Sequence, residues 1–488
     1  AVQQGGLRLQ GGASTSEWLY ASQKVEGEVG GCVFLLELEA NAASVLEAGQ
    51  FNNCYVGLAA LTDSGSSVSG GISVANINSA VPTLEVVYLH PPAGTASVEA
   101  RAFLSKSGYL EISRVCAKCG TRFDVVKDVM GRYYSFFQHK AIDWSAHAAP
   151  HRGAIESARS ATQLKGALVE LLAGLQDLHV TVVTPAGTYP TWSDDSLVFN
   201  YRTLESVFSY FDSESIRSFI LPDQSRQFGI VGRLKPRPGS TEGYGYVNTC
   251  AFPSLATYGN VWAEVVGTVR GLASAPGIII DVRCNQGGDE LAARQLAEVF
   301  AATTHIYARQ RYRAGSSVAH FTAATAAVVG PDPEGHALTQ PVVVLTGPVC
   351  VSSCEGFVMM MKSLPHAVVV GLATRGASGN PKPITVDPEL QVTVSFSRWV
   401  RTLPSGEVLE GAGVAPHVEV EWDQEAEGDG TLDAGLVELD AAVASLAASG
   451  GVRAPPPPPP PPPTSGGGGG GRGVAWVALG VAALLGAL

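Results

Sequence analysis

Charge is scarce in this chain. Asp, Glu, Lys and Arg make up 16% of its 488 residues, against about a quarter in ordinary globular domains. The 32 basic residues face 44 acidic ones, a formal net charge of −12, so the balance gives no support to a phosphate-tracking surface and nucleic acid is not an expected partner. Cysteine is sparse as well. Eight in 488 are too few for a disulfide scaffold, yet an even count in a chain that starts without Met fits a processed protein of an oxidising compartment. Cys116-Ala-Lys-Cys119 has no second pair nearby to complete a zinc site and no matching strand–helix unit for a thioredoxin-like motif, so a local disulfide or junction staple is the better reading. No metal and no organic cofactor is implied. At ~150 residues per domain the length predicts about three domains.

What is present is strongly segmented. Nine prolines, Pro455 to Pro463, form a stiff spacer and six glycines, Gly466 to Gly471, a flexible one; neither builds a core. The 16 residues from Gly473 to Leu488 carry no charge. At 1.5 Å per helical residue they reach ~24 Å, short of a ~30 Å hydrocarbon core. Small residues around Ser465 and Gly466, a short spacer and an apolar end match a glycosylphosphatidylinositol attachment signal, with Ser465 or Gly466 as the attachment candidate. This predicts a lipid-anchored protein on the extracellular side of the plasma membrane, a secreted protein or a short transmembrane tail being the alternatives.

Residues 1–115 read as β structure. Val33–Ala40, Cys54–Leu61, Thr83–His90 and Ser97–Leu104 are short apolar or alternating runs split by Gly, Ser, Asn and Pro, which predicts a β-sandwich with Cys32–Cys54 as a candidate disulfide. Residues 116–180 turn helical: Leu164, Leu168, Leu171, Leu172 and Leu175 share one stripe of a helix running to Asp177-Leu178-His179. Residues 181–242 show no peptide-binding PDZ pattern. Strands and helices alternate over 243–425, predicting an α/β core; 426–450 then form a C-terminal helix, 451–472 the spacer and 473–488 the apolar signal.

Two strand-to-helix junctions carry chemistry. The first, Asp281-Val-Arg283-Cys-Asn285-Gln-Gly287-Gly288, opens a buried strand into Gly-Gly, where backbone N–H groups and a helix N-terminus favour developing negative charge; a tight β–α turn is the plainer reading. The second, Cys350-Val-Ser352-Ser353-Cys354-Glu355, places a Ser where helices are usually capped, which is also where open α/β sheets expose their reactive groups. His179 is a candidate base, although a His at a helix end commonly serves the helix dipole. Cys350 and Cys354 are disulfide candidates, with each other or with Cys284 or Cys250.

These motifs, with Gly371–Asn380 and Val408–Glu421 following in order, resemble the tail-specific, or C-terminal processing, peptidases and their tricorn-core relatives over about Cys119 to Glu421. The Cys-x-Ser-x-Cys frame is similar to secreted members related to chlamydial protease-like activity factor. The resemblance implies a multidomain α/β protein with a ClpP/crotonase-like core, acting as a serine peptidase on a peptide or protein substrate. One branch pairs its Ser with a Lys; here that stretch is Gly376-Ala377-Ser378 and the Lys is missing. The other branch implies Ser352 as nucleophile, His179 as base and Glu410 as the carboxylate orienting it, with Gly288 and Ser353 forming the oxyanion hole and Asp281, Arg283, Asn285 and Gly287 supporting it. The alternative is a catalytically silent, ligand-binding relative of the same fold.

Overall fold

The computed structural model describes residues 121–193, 208–212, 215–220, 227–236, 243–313, 317–421 and 428–449, and before residue 121 mainly the strands. The chain divides into two compact units interleaved in sequence: Ala1–Ser193 with Gln310–Thr325 and Gly379–Arg401, and Asp194–Arg309 with Ala326–Ser378 and Thr402–Leu488.

In the first unit, strands between Val2 and Gly120 pair into two antiparallel sheets. One has the order Val2–Gln3, Gly108–Gly120, Val33–Ser44, Thr83–Leu89, with Leu7–Gly11 also pairing Gly108–Gly120. The other runs Trp18–Val25, Ser97–Ser105, Cys54–Leu61, Ser67–Asn76. The β structure extends past residue 115, because Gly108–Gly120 pairs along the whole of Val33–Ser44 and takes Cys116 and Cys119 into the strand. The Cys32–Cys54 pairing lies outside the described residues.

Helices Arg122–Tyr133, Trp144–Ala148, Arg152–Ser157 and Ala161–Ala173 follow. Ser160 caps the last of these, accepting the Gln163 N–H at 3.3 Å, and Leu164, Leu168, Leu171 and Leu172 are fully buried as the stripe predicts. The helix stops at Ala173, not at His179. Gly174 follows it, and Gln176 has a left-handed φ of 46°, which turns the chain out of the helix before Asp177. The hairpin Thr181–Thr184/Gly187–Pro190 then pairs with Val392–Phe396, itself paired with Lys382–Asp387, in an antiparallel sheet.

The second unit is built on a seven-stranded sheet. Arg217–Ile220 and Gln227–Arg233 pair antiparallel at one edge; Gly245–Thr249, Ile278–Asp281, Val342–Thr346, Ala367–Gly371 and Val418–Glu419 continue in parallel. The central strands are buried on both faces, which is why they read as continuous apolar runs. Their side chains still alternate: Ile278, Ile280, Val342 and Val344 pack with Trp262, Leu296 and Phe357 of the helices Leu255–Arg270, Glu290–Glu298 and Ser353–Lys362. Ile279, Val343 and Leu345 pack instead with Leu432, Leu436 and Leu439 of helix Gly430–Ala448. The close approach is visible at Gly435, where a Cβ would lie 2.7 Å from the Leu345 side chain.

Because Leu436 is 2% exposed in that layer, Leu436→Ala is expected to cost about 2–4 kcal/mol in denaturant unfolding. Val437, 60% exposed on the same helix, is the control, and its Ala variant is expected to fall within about 0.5 kcal/mol of wild type.

Candidate active site

The loops that follow Thr249, Asp281, Thr346 and Gly371 all leave the carboxyl ends of parallel strands, the end at which open α/β sheets gather their ligands. Asp281 ends its strand fully buried. It accepts Tyr246 Oη at 2.8 Å and Arg283 Nη2 at 2.7 Å. The same guanidinium forks onto Asp429, both contacts at 2.7 Å, and Asp429 caps helix Gly430–Ala448 by accepting the Leu432 N–H. Burial works against the Arg283 charge, but the two carboxylates prevail and hold it protonated; burial, reinforced by Asp281, raises the Tyr246 phenol well above its ordinary value. Removing one member of such a buried cluster typically costs ~3–5 kcal/mol, because the remaining charge is left uncompensated.

Beyond it, Asn285 shapes the glycine loop. Its Nδ2 donates to the Thr249 carbonyl at 3.1 Å and its Oδ1 accepts the Gly287 N–H at 2.8 Å. Gly287 (φ 92°) is pressed against the second junction, where a Cβ would fall 2.7 Å from the Val351 carbonyl oxygen and 2.8 Å from Ser352 Cβ. Gly288 (φ 124°) is tighter still, its Cβ position lying 2.0 Å from the Phe252 carbonyl oxygen. Only glycine fits either place. Ser353 Oγ donates to the Gly288 carbonyl at 2.7 Å, so the two junctions are joined directly. Among the described residues neither the Gly288 nor the Ser353 N–H has a protein acceptor.

Ser352 sits between the last sheet residue and helix Ser353–Lys362 with φ 61° and ψ −124°. A non-glycine residue there costs of order 1–3 kcal/mol and persists only where its surroundings over-determine it. Several contacts do so. The Ser352 N–H donates to the Ala377 carbonyl at 2.8 Å and to Glu355 Oε2 at 3.2 Å. Glu355 is fully buried and also accepts Thr374 Oγ1 (2.7 Å) and the N–H groups of Gly376 (2.6 Å) and Ala377 (2.9 Å). Burial pushes its carboxyl up to about 7 against those donors. Thr374 Oγ1 in turn accepts the Val414 N–H at 2.7 Å, and Gly376 accepts the Gly411 N–H at 2.7 Å. The turn carrying Glu410, itself 7% exposed, is thereby bound to the segment that holds Ser352.

Two disulfides flank these junctions, Cys250–Cys284 and Cys350–Cys354, at sequence separations of 34 and 4. On chain entropy alone the larger ring is worth roughly 4 kcal/mol and the smaller roughly 2 kcal/mol.

His179 belongs to the other unit. Asp177, fully buried, holds its turn by accepting the His179 N–H at 2.8 Å, while Nδ1 stays 4.0 Å from that carboxylate and has no hydrogen-bond partner among the described residues. Burial keeps the imidazole below its ordinary value, opposed by Asp177. The structure therefore brings Ser352, Ser353, Gly287, Gly288, Asn285, Asp281 and Arg283 together and ties the Glu410 turn to them. Sequence reasoning missed Glu355, Thr374 and Asp429. The Ser352-x-x-Glu355 spacing of a capping box was the available signal for the first; the other two are placed only by tertiary contacts.

Residues 243–420 match the model of peptidase family S41. That segment is a peptidase family S41 domain, which supports a serine-type peptidase of the tail-specific kind. Its fold is similar to that of a presumptive peptidase from Parabacteroides merdae, at 22% identity over 65% of this chain and 95% of that one, with a TM-score of 0.53. It also aligns with the photosystem II D1 C-terminal processing protease, at 14% identity over 62% of this chain and 92% of that chain (TM-score 0.40), and with mature CPAF, at 11% over 68% and 97% (TM-score 0.46).

Glu355→Gln turns an amide NH2 toward N–H donors that the carboxylate accepts. It is expected to lower stability by about 1–3 kcal/mol and peptidase turnover at least tenfold, read by denaturant unfolding and steady-state kinetics on the same preparation.

Proposed function

We propose that the chain hydrolyses peptide bonds through Ser352 as nucleophile, His179 as general base and Glu410 as the carboxylate that orients the imidazole. The observation that carries this reading is the Ser352 backbone, a positive-φ serine at a strand-to-helix turn packed against glycines, the arrangement that exposes a nucleophile above an α/β sheet. A serine hydroxyl needs a base to take its proton. A largely buried imidazole whose pKa is lowered suits that role, with Glu410 as the carboxylate proposed to orient it. The resulting acyl-enzyme forms as the Ser352 Oγ proton passes to His179 and then to the leaving amine; water, deprotonated by the same imidazole, releases the acid. The N–H groups of Gly288 and Ser353 would hold the tetrahedral oxyanion, each donor typically worth ~3–4 kcal/mol.

Extracellular placement by a lipid anchor is proposed on tail composition alone. Among the described residues no helix is long and apolar enough to cross a membrane, and 450–488 lie outside them. Release from intact cells by phosphatidylinositol-specific phospholipase C is the expected result, and retention after treatment counts against the anchor.

Ser352→Ala is expected to abolish peptide hydrolysis in a folded protein and Glu410→Gln to leave a measurable residue of it, since an orienting carboxylate is less indispensable than the nucleophile. Full turnover by Ser352→Ala refutes the mechanism and leaves other chemistry, whereas a wild type with no turnover and no serine labelling leaves the silent, ligand-binding relative. The base works only when neutral, so kcat/KM falls as pH drops through the His179 pKa. With burial lowering that pKa, the acid limb is expected below the ordinary imidazole value of ~6.5, and a limb above it contradicts the assignment.

A further inference from the structure

Four described helices have Ser or Thr at the N-cap. Thr121 (φ −97°, ψ 175°) and Ser160 (φ −144°, ψ 158°) take the extended conformation usual at that position. Ser352 caps its helix too, yet stands at φ 61° and ψ −124°. Ser254, at the start of helix Leu255–Arg270, also has negative φ and extended ψ (φ −57°, ψ 119°), so Ser352 alone among these caps stands at positive φ.

What distinguishes Ser352 is the covalent ring around it. Cys350 and Cys354 are both fully buried, and their bond closes a ring in which Ser352 is the central residue. The ring is anchored at Cys350, whose carbonyl accepts the Arg375 N–H at 2.9 Å and whose N–H donates to Gly347, and it is braced internally by the Cys354 N–H donating to Val351 at 3.2 Å. Cys354 Sγ lies 3.7 Å from the Val282 carbonyl oxygen. A five-residue ring removes far less chain entropy from the unfolded state than the Cys250–Cys284 ring does, so its contribution to overall stability is the smaller of the two. It acts on the few backbone torsions it encloses.

We infer that the Cys350–Cys354 disulfide is a positioning element for catalysis: it holds Ser352 out of the extended N-cap conformation and in the one that presents Oγ for attack. The inference rests on Ser352 being the nucleophile. It predicts a defect in reactivity rather than in substrate binding.

The test compares wild type with Cys350→Ala/Cys354→Ala, both confirmed folded by near-ultraviolet circular dichroism. A fluorophosphonate probe measures the reactivity of Ser352, and a peptide substrate gives kcat and KM. Relaxation of a strained conformer of this kind corresponds to about 10- to 100-fold. The double variant is therefore expected to lose about that factor in kcat and in phosphonylation rate, with KM within about threefold of wild type. Where the double variant does not fold, wild-type protein is partly reduced with a phosphine and its thiols are capped. Mass spectrometry then reads phosphonylation separately in molecules open and closed at Cys350–Cys354, with slower labelling of the open form expected. Equal reactivity in either comparison overturns the inference alone. A wild-type protein that is not labelled at Ser352 overturns the nucleophile assignment and the inference with it.

Discussion

The catalytic end of this fold depends on keeping one serine in a backbone conformation that its own sequence disfavours. Ser352 lies at positive φ, and several restraints converge on it. The restraint is distributed. Gly287 leaves room beneath it, the Ala377 carbonyl and Glu355 carboxylate take its N–H, and Ser353 ties its helix to Gly288. Each of these partners is fixed by another loop at the carboxyl end of the sheet, so the strain is borne by the junction as a whole.

Charge reinforces the same end of the sheet from below. Arg283 joins Asp281, at the end of a central strand, to Asp429, at the start of the helix that covers the opposite face. The arrangement spends two buried carboxylates on one buried guanidinium, which is justified less by net stability than by fixing geometry. With Tyr246 also on Asp281, the loop running to Asn285 and the glycines starts from a rigid origin. Glu355 performs the parallel task one strand further on, where a buried carboxyl pushed up by burial binds the Thr374–Ala377 segment to the Ser352 turn.

Much of this was legible in the sequence, for identifiable reasons. The buried parallel strands show as unbroken apolar runs such as Ile278–Ile280 and Val342–Leu345, the helices as stripes, and both junction loops as glycine- or serine-bearing breaks between them. Local patterns do not report tertiary override. The stripe through Leu175 reads as helix to His179, whereas Gln176 turns the chain out after Ala173. The interleaving of Gln310–Thr325 and Gly379–Arg401 with the first unit leaves no local mark. The hub role of Glu355 was half visible in its spacing from Ser352, but its other partners come from Thr374–Ala377, a segment some twenty residues on. The cysteine pairings among 250, 284, 350 and 354 stayed open because sequence spacing alone permits several; the fold selects two.

The central claim is that Ser352 is a nucleophile activated by His179. It is tested most directly by treating the intact protein with a fluorophosphonate and mapping the adduct by mass spectrometry, in wild type and in His179→Ala. The account predicts one adduct per chain, on Ser352, forming at least a hundredfold more slowly without the imidazole, on the order of what a general base contributes. An adduct on another residue, or equal rates in the two proteins, would contradict it.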